Sequence, residues 1–278
     1  MVQAKREREG PEHKRVVSAA RTDDGPKDAA TETEASRTRE DSEALTAICF
    51  DVSGSMRLDG KYGALKRELL KEVSATDNAK FLILAFSDTI VSLSADGVPM
   101  DKESAIAAIE ARLPEPHGGT AIYKAVADMG GYIKKAITGF ASGISQELLI
   151  LKIFTDGDDN ESTDEDTMNA SEVVNDIRGN GGVVTLLQAG TSTLCADALN
   201  LDENAVLYFS DQGSTLANAA LAAREASVTY RHAVLSREPT MPVLPAFSYT
   251  PLQRAMSVDP AHRSDTISAP SVPHVARR

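Results

Sequence analysis

Leu45-Thr46-Ala47-Ile48-Cys49-Phe50, followed at once by Asp51-Val52-Ser53-Gly54-Ser55-Met56, decides how the rest of the chain is read. A short uncharged run that ends on one acid and two hydroxyls describes a buried strand whose carboxyl end opens into a polar loop. Four further runs, Phe81–Phe86, Leu148–Phe154, Val183–Leu187 and Val206–Phe209, share that character and read as strands apolar on both faces, while Ile90–Leu93 alternates and suits a sheet edge. Between them, Tyr62, Leu65, Leu69 and Val73 recur at helical spacing, as do Ile106, Ile109 and Leu113, and then Ile122, Ala125, Met129, Ile133 and Ile137. Asp101 and Ser214 stand where N-caps belong, and Gly179-Asn180-Gly181-Gly182 closes a helix before the next strand. Strands alternating with helices imply right-handed crossovers and an α/β fold, doubly wound, with a mostly parallel sheet covered on both faces.

The rest of the chain sets the boundaries of that fold. Of 278 residues, 42% are apolar and 25% charged, which suits a protein with a packed core, and no run is long enough to span a bilayer. Residues 1–43 carry 9 basic and 11 acidic side chains with almost no large apolar ones, so a disordered charged arm is expected there. Residues 236–278 hold seven of the twelve prolines, including Pro239, Pro242 and Pro245, and read as a second disordered, Pro-rich tail. The charges of the two arms cancel, so the 15 basic and 27 acidic residues of 44–235 carry the whole net charge of -12. Such a domain repels polyanions, which excludes a phosphate-coating nucleic-acid binder. Cys49 and Cys195 read as free thiols, and the charged N-terminal residues leave no apolar stretch for a secretory signal. A cytoplasmic protein is expected. The pairs Lys5-Arg6 and Lys14-Arg15 are interleaved with Glu7, Glu9 and Glu12, which marks a solvated tail in preference to a nuclear-import signal.

Ligands of open α/β sheets collect at the carboxyl ends of strands. Asp51, Ser53 and Ser55 follow the first strand, Thr155-Asp156-Gly157-Asp158 follows Leu148–Phe154, and Gly118-Gly119-Thr120 opens the third helix. Taken singly, each of these acids or hydroxyls could cap a helix. Together they are an all-oxygen donor set, the chemistry of a hard divalent cation.

The motifs DVSGS, GGT and TDG, in this order and on these elements, resemble the von Willebrand factor type A domain and its metal-ion-dependent adhesion site, over about residues 44–232. The resemblance implies a Rossmann-like fold of intracellular type and an intact site. In it, Ser53, Ser55 and, in the ligand-competent state, Thr120 touch the metal, and Asp51 and Asp156 hold it largely through water. Gly119, Asp158 and Asp159 would line the site as neighbours that support or select. The implied ion is Mg2+, with Mn2+ or Ca2+ as alternatives, and the implied partner is a protein whose Asp or Glu completes the metal shell, in some members within a larger assembly. It also implies that Thr120 and the final helix, about Ser214 to His232, move together in switching members. The function expected is therefore a non-enzymatic, metal-dependent binding module. A metal-dependent phosphoester hydrolase and a metal-independent scaffold acting through its tails are the competing classes. Against the hydrolase, the chain offers no base beside the donors and no P-loop, and Ser53 stands where a nucleophilic acid pair would need its second acid.

Three other features have blander readings. Asp156–Asp166 holds seven acids in eleven residues but lacks the glycine and glutamate of an EF-hand loop, so it reads as an acidic rim favouring the next helix N-terminus. His117 reads as a solvated loop histidine, since hard oxygen sites seldom recruit imidazole. Gly130-Gly131, inside the third helix, points to close packing or a kink.

Overall fold

The computed structural model describes residues 43–139, 143–210, 213–237, 247–251 and 253–254. Six strands form one sheet: β1 (Glu43–Asp51), β2 (Ala79–Phe86), β3 (Ile90–Ser92), β4 (Ile144–Thr155), β5 (Val183–Ala189) and β6 (Val206–Phe209). They lie in the order β3-β2-β1-β4-β5-β6, with only the short edge strand β3 antiparallel. Helices α1 (Lys61–Ala75), α2 (Lys102–Arg112), α3 (Ile122–Gly139), α4 (Asp164–Gly179), α5 (Leu194–Ala198) and α6 (Gly213–Ser236) cover both faces. The order reverses between β1 and β4, the point at which doubly wound sheets open a crevice. Phe50 pairs with Phe154 there, which sets the ends of the two strands side by side.

Alternation along each strand divides the core. Ile48, Phe50, Phe81 and Ile83 face α1, α2 and α6, whereas Leu45, Ala47, Cys49, Leu82 and Leu84 face α3 and α4. Cys49 and Cys195 are both buried free thiols whose ionisation burial suppresses. Gly130 has a plain cause: a Cβ there would lie 2.2 Å from Val173 Cγ2, so its absence is what lets α3 and α4 approach. Gly131 faces open space, and nothing in the structure explains it. Gly181, at φ +83°, and the bond from Gly182 N to Ile177 O at 2.9 Å end α4 as its glycine-rich turn predicts.

Three expectations change. The run Leu148–Phe154 is not apolar on both faces, because Lys152 is fully buried with its Nζ 2.7 Å from Glu72 Oε1 of α1. Arg224 of α6 joins the group through Glu72 at 3.6 Å and Glu68 at 3.4 Å. Burial lowers the pKa of Lys152, and the Glu72 charge opposes that shift. Asp101 caps α2 by accepting from Ser104 N, but Ser214 lies inside α6, which begins at Gly213. Thr215 instead ties the start of α6 to the preceding loop, 2.7 Å from the Ser210 carbonyl. Finally, part of the C-terminal region expected to lie apart from the fold returns to it. Tyr249 is buried in the α6-side core, its N donating to Asn204 O at 2.8 Å, and Phe247 stacks edge-on between Tyr230 and Tyr249. Residues 1–42 and Pro239, Pro242 and Pro245 lie outside the described residues.

Candidate metal centre

The site forms because β1 and β4 end together and two loops are laced across them. Val52 N donates to Phe86 O at 2.8 Å, His117 N to Val52 O at 2.8 Å and Gly54 N to Gly118 O at 3.0 Å, which fixes the loop after β1 against the glycine turn. Gly118 sits at φ +65°, a conformation that favours glycine. A Cβ on Gly119 would lie 2.4 Å from Glu161 Oε1 and 2.8 Å from Asn160 Oδ1, so the loop after β4 packs closely against the turn.

Asp51 is fully buried, with Oδ1 accepting from Ser53 N at 2.7 Å and Oδ2 accepting from Thr155 Oγ1 at 2.8 Å. Ser53 Oγ lies 2.9 Å from Ser55 Oγ, which donates to Asp156 Oδ1 at 2.7 Å. With the Ser55 proton committed to Asp156, Ser53 Oγ is the donor to Ser55, while the Ser53 backbone N–H holds Asp51, so Ser53 and Ser55 tie the two carboxylates together. Burial pushes the Asp51 pKa up to about 6, and the Asp156 charge adds to that rise against the lowering bonds from Ser53 and Thr155.

Thr120 is brought to the same end of the sheet by its backbone. Its N donates to Asn160 Oδ1 at 2.8 Å, and its carbonyl accepts from Asn160 N at 3.0 Å and Glu161 N at 3.2 Å. Its hydroxyl does not join the bonds that tie Asp51 to Asp156. Asp159 anchors the loop to the start of α3, accepting from Tyr123 N at 3.1 Å and from Ser162 Oγ at 2.7 Å, and Asp158 accepts from Gln188 Nε2 of β5 at 3.1 Å. Both therefore shape the rim. Asp164, Glu165 and Asp166 serve α4, which starts with a capping box between Thr163 and Asp166.

His117 does not bond to Asp51 or Asp156. Its Nδ1 lies 2.8 Å from Glu115 O, and its Nε2 lies 3.2 Å from Ser87 Oγ and 3.7 Å from Asp88 Oδ1. Three contributors escape sequence reasoning. The Thr155 hydroxyl holds Asp51, the Asn160 amide holds Thr120, and Lys61 Nζ lies 3.0 Å from Asp156 Oδ2. The motif TDG contains the first of these, but no spacing signals the other two. Among the described residues, no three His, Cys, Asp or Glu side chains converge as metal ligands. What converges is a set of hydroxyls around two carboxylates, a donor set that suits a hard cation such as Mg2+ or Mn2+.

The fold is that of the von Willebrand factor type A class. The chain superimposes on a von Willebrand factor type A protein from Catenulispora acidiphila with a TM-score of 0.52 and 24% identity, over 68% of this chain and 43% of that one. It matches mussel byssus proximal thread matrix protein 1 with a zinc-occupied MIDAS motif at a TM-score of 0.51 and 17% identity, over 68% and 46% of the two chains. The Lactobacillus rhamnosus GG pilus adhesin SpaC gives a TM-score of 0.52 at 11% identity, over 67% and 31%. The matched region is thus less than half of each of these structures, and at such identities the likeness is one of fold. No curated protein matches the chain. The family model for VWA domain containing CoxE-like protein matches residues 6–198, and the chain belongs to that family.

Proposed function

We propose that the domain is a divalent-metal-dependent protein-binding module of the non-enzymatic, intracellular kind. In this reading Asp51, Ser53, Ser55, Thr120 and Asp156 hold the ion, and an Asp or Glu carboxylate of a protein partner completes its shell. One observation carries the reading: carboxylates from the ends of adjacent strands are tied together through Ser53 and Ser55, Asp51 by the Ser53 main-chain N–H and Asp156 by the Ser55 hydroxyl, with Asp51 held in a state that disfavours its own charge. A divalent ion relieves that cost directly. When bound, it supplies a positive centre that can accept an anionic oxygen.

The chain's own residues do the rest. Ser53, Ser55 and Thr120 add oxygen donors without adding charge, and Thr155 and Asn160 keep Asp51 and Thr120 in place. The -12 domain repels a carboxylate without the ion, so partner binding requires it. Mg2+ is the expected ion, with Mn2+ or Ca2+ as substitutes, and the module would act in the cytoplasm as an adaptor in a larger assembly. Against the hydrolase reading, His117 lies against Glu115, Ser87 and Asp88 and not against Asp51 or Asp156.

Calorimetric titration of the full chain with Mn2+ or Mg2+ tests the ion. Binding is expected in the wild type and lost in Asp51→Ala and Ser53→Ala; an absence of binding, or equal binding by the variants, would end the reading. Capture of partners with and without EDTA tests the module, since partners retained in EDTA would favour a metal-independent scaffold.

A further inference from the structure

Lys61 begins α1, and its ammonium reaches the metal centre from the core side. Its Nζ lies 3.0 Å from Asp156 Oδ2, while Ser55 holds Oδ1 of the same carboxylate at 2.7 Å. The two side chains are only 10% and 1% exposed. Beneath them a cavity of about 10 Å³, enough for at most one water, is bounded by Asp51, Lys61, Thr155 and Asp156 and closed by apolar side chains. The ammonium is therefore a fixed part of the site's floor and not a mobile surface charge.

Helix stability does not account for this placement. A cation in the first turn opposes the helix dipole, and α1 has no acid in its first turn to offset it. Moving a lysine below the surface also costs desolvation, which its pairing with Asp156 opposes. The residue is positioned for the carboxylate of the site.

We propose that Lys61 is a built-in counter-cation that sets the charge of the metal centre, lowering its affinity for the divalent ion and raising the affinity of the bound ion for a partner carboxylate. The inference rests on the proposal that Asp51 and Asp156 hold an ion. Without Lys61, two carboxylates would fully neutralise a divalent cation, and an incoming carboxylate would meet no net charge. With Lys61 against Asp156, the same centre carries one positive charge more. The domain's overall acidity makes that difference decisive, because its field otherwise turns carboxylates away. The lysine trades tightness of metal binding for strength of the docking contact.

The test uses the full chain as wild type, Lys61→Met, which keeps the stem and loses the charge, Lys61→Gln as a second neutral variant, and Lys61→Arg. Circular dichroism melts establish which variants are folded, Mn2+ titration gives the metal affinity, and broadening of the acetate methyl proton line by bound Mn2+ reads carboxylate access at equal Mn2+ occupancy. The neutral variants should bind Mn2+ about tenfold more tightly and broaden the acetate line less, with Lys61→Arg close to wild type. Mn2+ affinity unchanged or weakened in folded neutral variants would show that Lys61 only positions Asp156, and would overturn the proposal. Wild-type protein that binds no Mn2+ would remove the metal reading itself and this inference with it, a result distinct from an unaltered variant.

Discussion

Thr155 Oγ1 lies 2.8 Å from Asp51 Oδ2, so the last residue of β4 holds the last residue of β1 across the strand pair on which the site is built. The same hydroxyl is 2.9 Å from the Gly157 carbonyl, and its single proton serves one acceptor at a time. Thr155 thus couples the acid of the first motif to the loop of the third. Replacing it with valine keeps the strand's shape and removes the hydroxyl. Thr155→Val is expected to cost about 1 kcal/mol of stability and to weaken Mn2+ binding several-fold, measured by melting and calorimetry on the same protein.

Asp51 ties stability to pH in the opposite sense from an ordinary paired carboxylate. Folding raises its pKa from 3.8 to about 6, so the folded state holds the proton more tightly than the unfolded one. The contribution is fully present below about pH 4 and is lost as pH rises through 6, up to about 3 kcal/mol at neutrality. In EDTA the wild type should lose stability across this window relative to Asp51→Asn, which has no charge to desolvate. Asp51→Asn should melt higher at pH 7.5 in EDTA and gain nothing from Mn2+. A lower melting point for the variant would refute this account of Asp51.

The adjacent glycines of α3 should respond oppositely to alanine. At Gly130 a methyl group meets Val173 at 2.2 Å and forces α3 and α4 apart, an overpacking cost of about 1–3 kcal/mol that exceeds the gain in helix propensity. At Gly131 a methyl group meets open space and should stabilise the helix by about 0.5–1 kcal/mol. Thermal melts of Gly130→Ala and Gly131→Ala decide both.

Buried charge gives a similar asymmetry. Glu72→Leu removes the acid bonded to Lys152 and beside Arg224, and should destabilise by about 3–5 kcal/mol by leaving a buried ammonium without its partner. Lys152→Met leaves Glu72 with Arg224 and should cost less. Urea unfolding of the two variants measures the difference, and an equal or larger cost for Lys152→Met would contradict the assigned roles.

Much of this molecule was legible along the chain. Five apolar runs and one alternating segment mark the six strands of the described residues, with β3 closing at Ser92 and not at Leu93, and the spacing of Tyr62, Leu65, Leu69 and Val73 marks α1. Asp51, Ser53, Ser55, Thr120 and Asp156 do meet at one end of the sheet, but Thr120 is held there by its backbone and its hydroxyl stays outside the bonds that join the other four. The sequence reading missed Lys152 because one lysine within six apolar residues does not disturb a hydropathy pattern. It missed Tyr249 because a proline-rich composition describes the average of a tail and not the single aromatic that docks.

By itself the sequence determined the class of fold and the chemical type of the donors, because periodicity and motif order are local properties written within a few residues of one another. Only the tertiary structure decided which charges face which. Lys61 against Asp156, Lys152 against Glu72 and Thr155 against Asp51 join residues 80 to 104 positions apart. The worth of each pair depends on separation and burial, and those quantities exist only once the sheet and its helices have closed around them.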